Sequence, residues 1–150
     1  MRVAFLTRYD RRRASSRVRA YQYGPHLAAL GFTCRFLPWG ERPRPRWPAY
    51  VARALALARW ADVVVLQKPF QPIWFVDALA RLNPHLVVDV DDAVWEAPDG
   101  SDAGAVQRAA ELGRRFDHAA RRAGLVIVGS NHLAELVRGR CPEAEVHVLP

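Results

Sequence analysis

The chain has 150 residues, 51% of them hydrophobic, and a formal net charge of +7. That is apolar material for one domain with a core, which excludes a disordered chain. No apolar run approaches a membrane span, and Met1-Arg2 leads straight into a short strand-like run with no cleavage site. Neither a spanning helix nor a secretory leader is therefore expected, and the expected compartment is the cytoplasm, with a peripheral contact to membrane.

Lys68 is the only lysine among many arginines, a bias that is partly genomic. A surface this basic attracts phosphates, anionic lipid or nucleic acid, and charge alone does not choose among them. Cys34 and Cys141 belong to no CxxC or Cys/His cluster, so two free, buried or half-buried thiols are expected.

Short apolar strands alternate with helical segments along the whole chain. Residues 2–7 read as the first strand. Ser15 or Ser16 is placed to cap a helix carrying Val18, Tyr21, Leu27 and Leu30, which Gly24-Pro25 interrupts. A second strand is expected over 32–37. A loop rich in proline and arginine follows over 38–48, then a helix over 49–60 with Val51, Leu55 and Ala58 on one side. Residues 62–66 are the most β-branched run and read as the third strand. Pro72 suits a helix first turn, and that helix runs to Leu82, where Asn83-Pro84 stops it.

The fourth strand is expected over 85–89 and runs into Asp89, Asp91 and Asp92, followed by Trp95. An acidic loop over 96–104 precedes a long helix over 105–122, with Val106, Ala109, Leu112 and Phe116 facing inward. A fifth strand over 125–128, a helix over 132–138 opened by Gly129-Ser130-Asn131, and a sixth strand over 146–149 complete the chain. This alternation predicts an α/β, Rossmann-like three-layer domain with a mostly parallel sheet of about six strands and helices on both faces.

In such a sheet, ligands sit outside the carboxyl ends of the strands. The turn after strand one places Arg8, Ser15, Ser16, Arg17 and Arg19 there, and hydroxyls and guanidinium groups suit anions. The turn is neither a GxGxxG loop nor a GxxxxGK[ST] loop, so neither a dinucleotide fingerprint nor a P-loop is present. Lys68 follows the third strand and suits a phosphate or a sugar carboxylate. Asp91 and Asp92 can accept hydrogen bonds from vicinal hydroxyls, and Asp92 stands furthest out. Asp89 is placed to cap neighbouring amides. Trp95 offers a platform for a sugar face or packs in the core. Ser130 offers a further hydroxyl at a helix start. The five histidines are scattered, so no metal site is expected.

Four stretches taken in order resemble the N-terminal half of a GT-B retaining glycosyltransferase, in the large family that includes sucrose synthases and bacterial cell-envelope transferases. They are Ala14-Ser15-Ser16-Arg17-Val18-Arg19-Ala20-Tyr21-Gln22 with Pro25-His26-Leu27 after it; Val64-Val65-Leu66-Gln67-Lys68; Val87-Val88-Asp89-Val90-Asp91-Asp92-Ala93-Val94-Trp95; and Val126-Ile127-Val128-Gly129-Ser130-Asn131 running to Val146-His147-Val148-Leu149-Pro150. The likeness spans nearly the whole chain. It implies that residues 1–150 form the acceptor-side domain, inactive alone, of an enzyme whose C-terminal domain binds a nucleotide-sugar donor. It further implies a hydroxyl-bearing acceptor (glycan, lipid or small molecule), no cofactor, no nucleic acid, and a catalytic position near the transferred sugar at Asp92. The turn after strand one departs from the Gly-Gly pattern of many relatives.

Two other readings compete. Val87-Val88-Asp89-Val90-Asp91 resembles the DxD motif of haloacid-dehalogenase-like phosphatases, although that fold opens on its DxD strand. A non-catalytic basic α/β module that recruits a partner would also suit the charge.

Overall fold

The computed structural model describes residues 1–39 and 47–150. Most of the expected loop over 38–48 therefore lies outside the described residues. The elements are β1 (Arg2–Thr7), a short turn α1 (Ala14–Ser16) continued by a π-helical turn (Arg17–Tyr21), α2 (Tyr23–Ala29), β2 (Thr33–Pro38), α3 (Trp47–Trp60), β3 (Val63–Gln67), α4 (Ile73–Leu82), β4 (Leu86–Val90), α5 (Ala103–Arg122), β5 (Leu125–Val128), α6 (Asn131–Arg140) and β6 (Val146–Val148). The six strands form one sheet in the order β2-β1-β3-β4-β5-β6. Every adjacent pair is parallel. The expected Rossmann-like α/β fold is present.

Handedness decides how the helices are shared between the faces. The step from β1 to β2 goes one way along the sheet, and every later crossover goes the other way. Right-handed connections then put α3 to α6 on one face and leave α1 and α2 for the other. The packing agrees. Ala4, Leu6, Val64, Leu66, Val88, Val90, Val126 and Val128 point into one core with Ala54, Phe75, Phe116 and Val137 from α3 to α6. Phe75 and Phe116 are fully buried there, and each contributes about 1.5–3 kcal/mol relative to exposure. The alternate residues Val3 and Phe5 meet Ala20 and Leu27 in a smaller cluster on the opposite face. Beyond α2 that face holds an open apolar groove of about 320 Å³, floored by Val63, Val65, Val87 and Ile127.

Several local expectations are corrected. Neither Ser15 nor Ser16 caps a helix through its side chain; the N-cap of α1 is Arg13, which makes no side-chain cap hydrogen bond, and both serine hydroxyls bond across the sheet rim instead. The π turn closes with Gln22 N–H donating to Arg17 O at 2.9 Å. Its wider turn shifts the helical period, and Val18 is exposed. Leu30, in the C-cap position after α2, is 74% exposed. Pro25 falls in the first turn of α2, where its missing donor costs nothing. Pro72 is the N-cap of α4 rather than a first-turn residue. In α5, Val106 faces solvent, while Ala109 and Phe116 are buried and Leu112 is half-buried. Cys34 is half-buried, Cys141 is buried, and both are free. No helix among the described residues is long and apolar enough to cross a membrane.

Candidate functional site

The sheet changes direction between β1 and β3, and that reversal opens a crevice at their carboxyl ends. Arg8 follows β1 at this point. Gln67 ends β3 and Lys68 follows it. Asp91 and Asp92 follow β4, one strand further along.

Gln67 holds the crevice together. It is buried, and its Oε1 accepts from Ser16 Oγ at 2.7 Å and from the Arg8 backbone N–H at 3.2 Å. Its Nε2 donates to the Ser15 carbonyl at 3.2 Å. The buried Ser16 hydroxyl in turn accepts from the Tyr9 backbone N–H at 3.0 Å. One amide and one hydroxyl thus satisfy the loop that leaves β1. Sequence reasoning missed Gln67 as a site-building residue. The available signal was a long polar side chain at the end of the most apolar strand.

The three carboxylates have different fates. Asp89 lies inside β4 rather than at its end, because the strand runs one residue further, to Val90. It caps no backbone amide. Its side chain, 5% exposed, pairs through both oxygens with the Arg19 guanidinium, 8% exposed, with Nε to Oδ1 at 3.1 Å. Arg19 continues across the rim, past Gly129, and donates through Nη1 to the Leu149 carbonyl at 2.6 Å. A Cβ on Gly129 would stand 3.4 Å from that Nη1, an ordinary contact distance. Arg19 therefore ties β4 to the residue that follows β6. Burial pushes the Asp89 carboxyl above its ordinary value, against the pull of Arg19.

Asp91 and Asp92 share Lys68. Nζ stands 2.8 Å from Asp91 Oδ1 and 2.8 Å from Asp92 Oδ2. Asp91 Oδ2 accepts from Ser15 Oγ at 2.7 Å, while the buried Oδ1 meets Lys68 as an ion pair without hydrogen-bond alignment. Asp92 is 66% exposed, and its Oδ1 bonds to no described residue. Burial pulls the Lys68 ammonium down, and the two carboxylates outweigh it, so its pKa stands above the ordinary lysine value. Lys68 has φ +51°, the only positive φ among the described non-glycine residues. A lysine in the left-handed region costs about 1 kcal/mol or more, which the surrounding contacts must hold.

The other candidates are distributed around this centre. Ser15 and Ser16 are in it, held as described. Arg8 is at its edge, with its guanidinium 5.1 Å from the Tyr9 ring centroid and 5.8 Å from that of Phe70. Arg17 is exposed on the π turn. Ser130 sits two strands away after β5, where it is the N-cap of α6 and accepts from Leu133 N–H at 3.2 Å. Trp95 takes the core alternative. It packs on Phe116 with ring centroids 4.5 Å apart and lies under Arg140.

No family model matches the chain, and no curated protein is significantly similar to it. Among the described residues, no group of three or more His, Cys, Asp or Glu side chains is placed to hold a metal ion. The site is thus defined by its geometry: one ammonium between two carboxylates, one outward carboxylate oxygen, and a guanidinium set between aromatic rings. Such a set can accept hydrogen bonds from hydroxyls and donate to an oxyanion.

Proposed function

We propose that residues 1–150 are the acceptor-side half of a retaining glycosyltransferase of the GT-B kind, which moves a sugar from a nucleotide-sugar to a hydroxyl. The observation that carries the reading is the Lys68–Asp91–Asp92 cluster at the switch-point crevice. Lys68 fixes Asp92 through Oδ2 and leaves Oδ1 facing outward, where it accepts from a sugar hydroxyl near the reacting centre. Ser15 orients Asp91 behind it. The donor-binding half supplies the nucleotide-sugar, and this chain alone does not turn over. A cytoplasmic location beside a membrane surface suits a basic domain that receives an anionic or lipid-borne acceptor.

The phosphatase reading fits less well. It needs Asp89 as a free nucleophile, and Asp89 is locked bidentately on Arg19. The DxD strand is also the fourth in the chain rather than the first.

The test is donor-dependent release of nucleoside diphosphate by the full-length protein across a panel of nucleotide-sugars. Asp92→Asn is expected to cut turnover about ten- to a hundredfold, the size of one lost charge-assisted hydrogen bond, with folding intact. Unchanged turnover removes Asp92 from the site, and no transfer from any donor overturns the reading.

A further inference from the structure

We propose that the Arg8 guanidinium, set between the Tyr9 and Phe70 rings at the β1/β3 crevice, binds the phosphate group of an anionic, hydroxyl-bearing molecule. As an oxyanion site the inference stands by itself; as the class of acceptor it rests on the transferase reading above.

Arg19, Lys68 and Arg115 are already matched. Arg19 has Asp89 and Leu149 O. Lys68 has Asp91 and Asp92. Arg115, which donates through Nη1 to the Phe70 carbonyl at 2.7 Å, has Glu111. Arg8 is different: among the described residues its guanidinium has no carboxylate and no carbonyl. Its Nε is buried without an acceptor. A buried donor is normally satisfied, so an orphan at a ligand crevice marks a missing acceptor.

The setting favours binding over a loose surface contact. Backbone N–H of Arg8 is anchored on Gln67 at 3.2 Å, and the next N–H, of Tyr9, on Ser16 at 3.0 Å. The Tyr9 and Phe70 ring centroids lie 5.1 and 5.8 Å from the guanidinium, and cation–π contact with both reduces the side-chain freedom lost on binding. Among the described residues none of the five N–H groups has an acceptor, and three phosphate oxygens match that number better than two carboxylate oxygens.

A second orphan lies in the segment after β3. Gln71 is 2% exposed, and its Oε1 is buried without a donor. It follows Phe70, the residue whose ring lies against Arg8. A phosphate ester supplies the acceptor that the Arg8 Nε lacks, and a sugar or polyol phosphate is such a molecule.

The experiment is a titration of the 150-residue chain followed by backbone amide NMR, with inorganic phosphate, glucose 1-phosphate, glucose and acetate as probes. Phosphatidylcholine vesicles with and without phosphatidylglycerol form a separate arm. Saturable shifts at Arg8, Tyr9, Phe70 and Gln71 are expected with the two phosphates, glucose 1-phosphate binding tighter. Arg8→Gln should weaken binding about ten- to a hundredfold. Arg8→Lys, which keeps the charge but not the fork, should recover only part of it. Arg11→Gln, an exposed change in the same loop, should leave it unchanged. Binding that survives Arg8→Gln, falls equally in Arg11→Gln, or is as tight for acetate overturns the proposal. Binding to phosphatidylglycerol vesicles that needs Arg8 assigns the phosphate to a lipid headgroup; indifference to vesicles assigns it to a soluble ester. Phosphate binding at Arg8 without any sugar transfer would defeat the transferase reading alone. Transfer to neutral acceptors unaffected by Arg8→Gln would defeat this inference alone.

Discussion

Within four residues, Asp89 and Asp92 make the same kind of contact, a carboxylate on a cation, to opposite ends. Asp89 and Arg19 are both sealed from solvent and link β4 to the residue that follows β6. Asp92 and Lys68 form an open pair in which one carboxylate oxygen is spare. A sealed ion pair contributes to holding the fold mainly because losing one partner strands the other in low dielectric. An open pair contributes little to stability and leaves chemistry available. Acidic residues at a strand end are therefore not one feature. Exposure and the number of free oxygens separate scaffold from site.

The largest effect that tests this contrast is at Arg19. Arg19→Met strands the buried Asp89 carboxylate and is expected to cost about 3–5 kcal/mol in chemical denaturation. The double variant Arg19→Met/Asp89→Leu should regain part of that loss, since it strands nothing. If the double variant is as unstable as the sum of the two single changes, the pair is not the coupled unit described here.

Next comes the loop that carries the site. Gln67→Leu removes the acceptor of Ser16 and of the Arg8 N–H. The expected cost is about 1–3 kcal/mol, with amide exchange quickened at Arg8 and Tyr9. Unaltered exchange there would mean that Gln67 does not fix the loop.

A smaller effect concerns pH. The folded-state pKa of Lys68 lies above its ordinary value because Asp91 and Asp92 outweigh burial. The stabilisation this brings is complete below the ordinary lysine pKa and is lost as pH rises through the higher folded value. Lys68→Met should flatten that alkaline limb of the stability profile. An identical limb in both proteins would show that the ammonium is not held as described.

Much of this arrangement was legible in the sequence, and the boundary is instructive. The β-branched runs at Val63-Val64-Val65 and Leu125-Val126-Ile127-Val128 announce strands because they fill a buried parallel sheet. The fifth strand spans 125–128 as expected, and the first spans 2–7. The convergence of 8–19, 68 and 91–92 on one rim followed from the alternation of strand and helix alone. What the sequence hid depended on contacts far along the chain. Arg19 finds Asp89 across 70 positions, and nothing near either residue marks the partner. A one-residue extension of β4 moved Asp89 from the rim into the strand. The π turn at Arg17–Tyr21 interrupts the 3.6-residue period of that helix and leaves Val18 exposed. The asymmetry of the two faces followed from strand order, which no local pattern reports.

The most direct test of the contrast between scaffold and site is urea denaturation of Asp89→Ala and Asp92→Ala, measured side by side on the 150-residue chain. The account predicts a loss of about 3–5 kcal/mol for Asp89→Ala and less than about 1 kcal/mol for Asp92→Ala. Equal losses in the two variants, or a larger loss at Asp92, would contradict it.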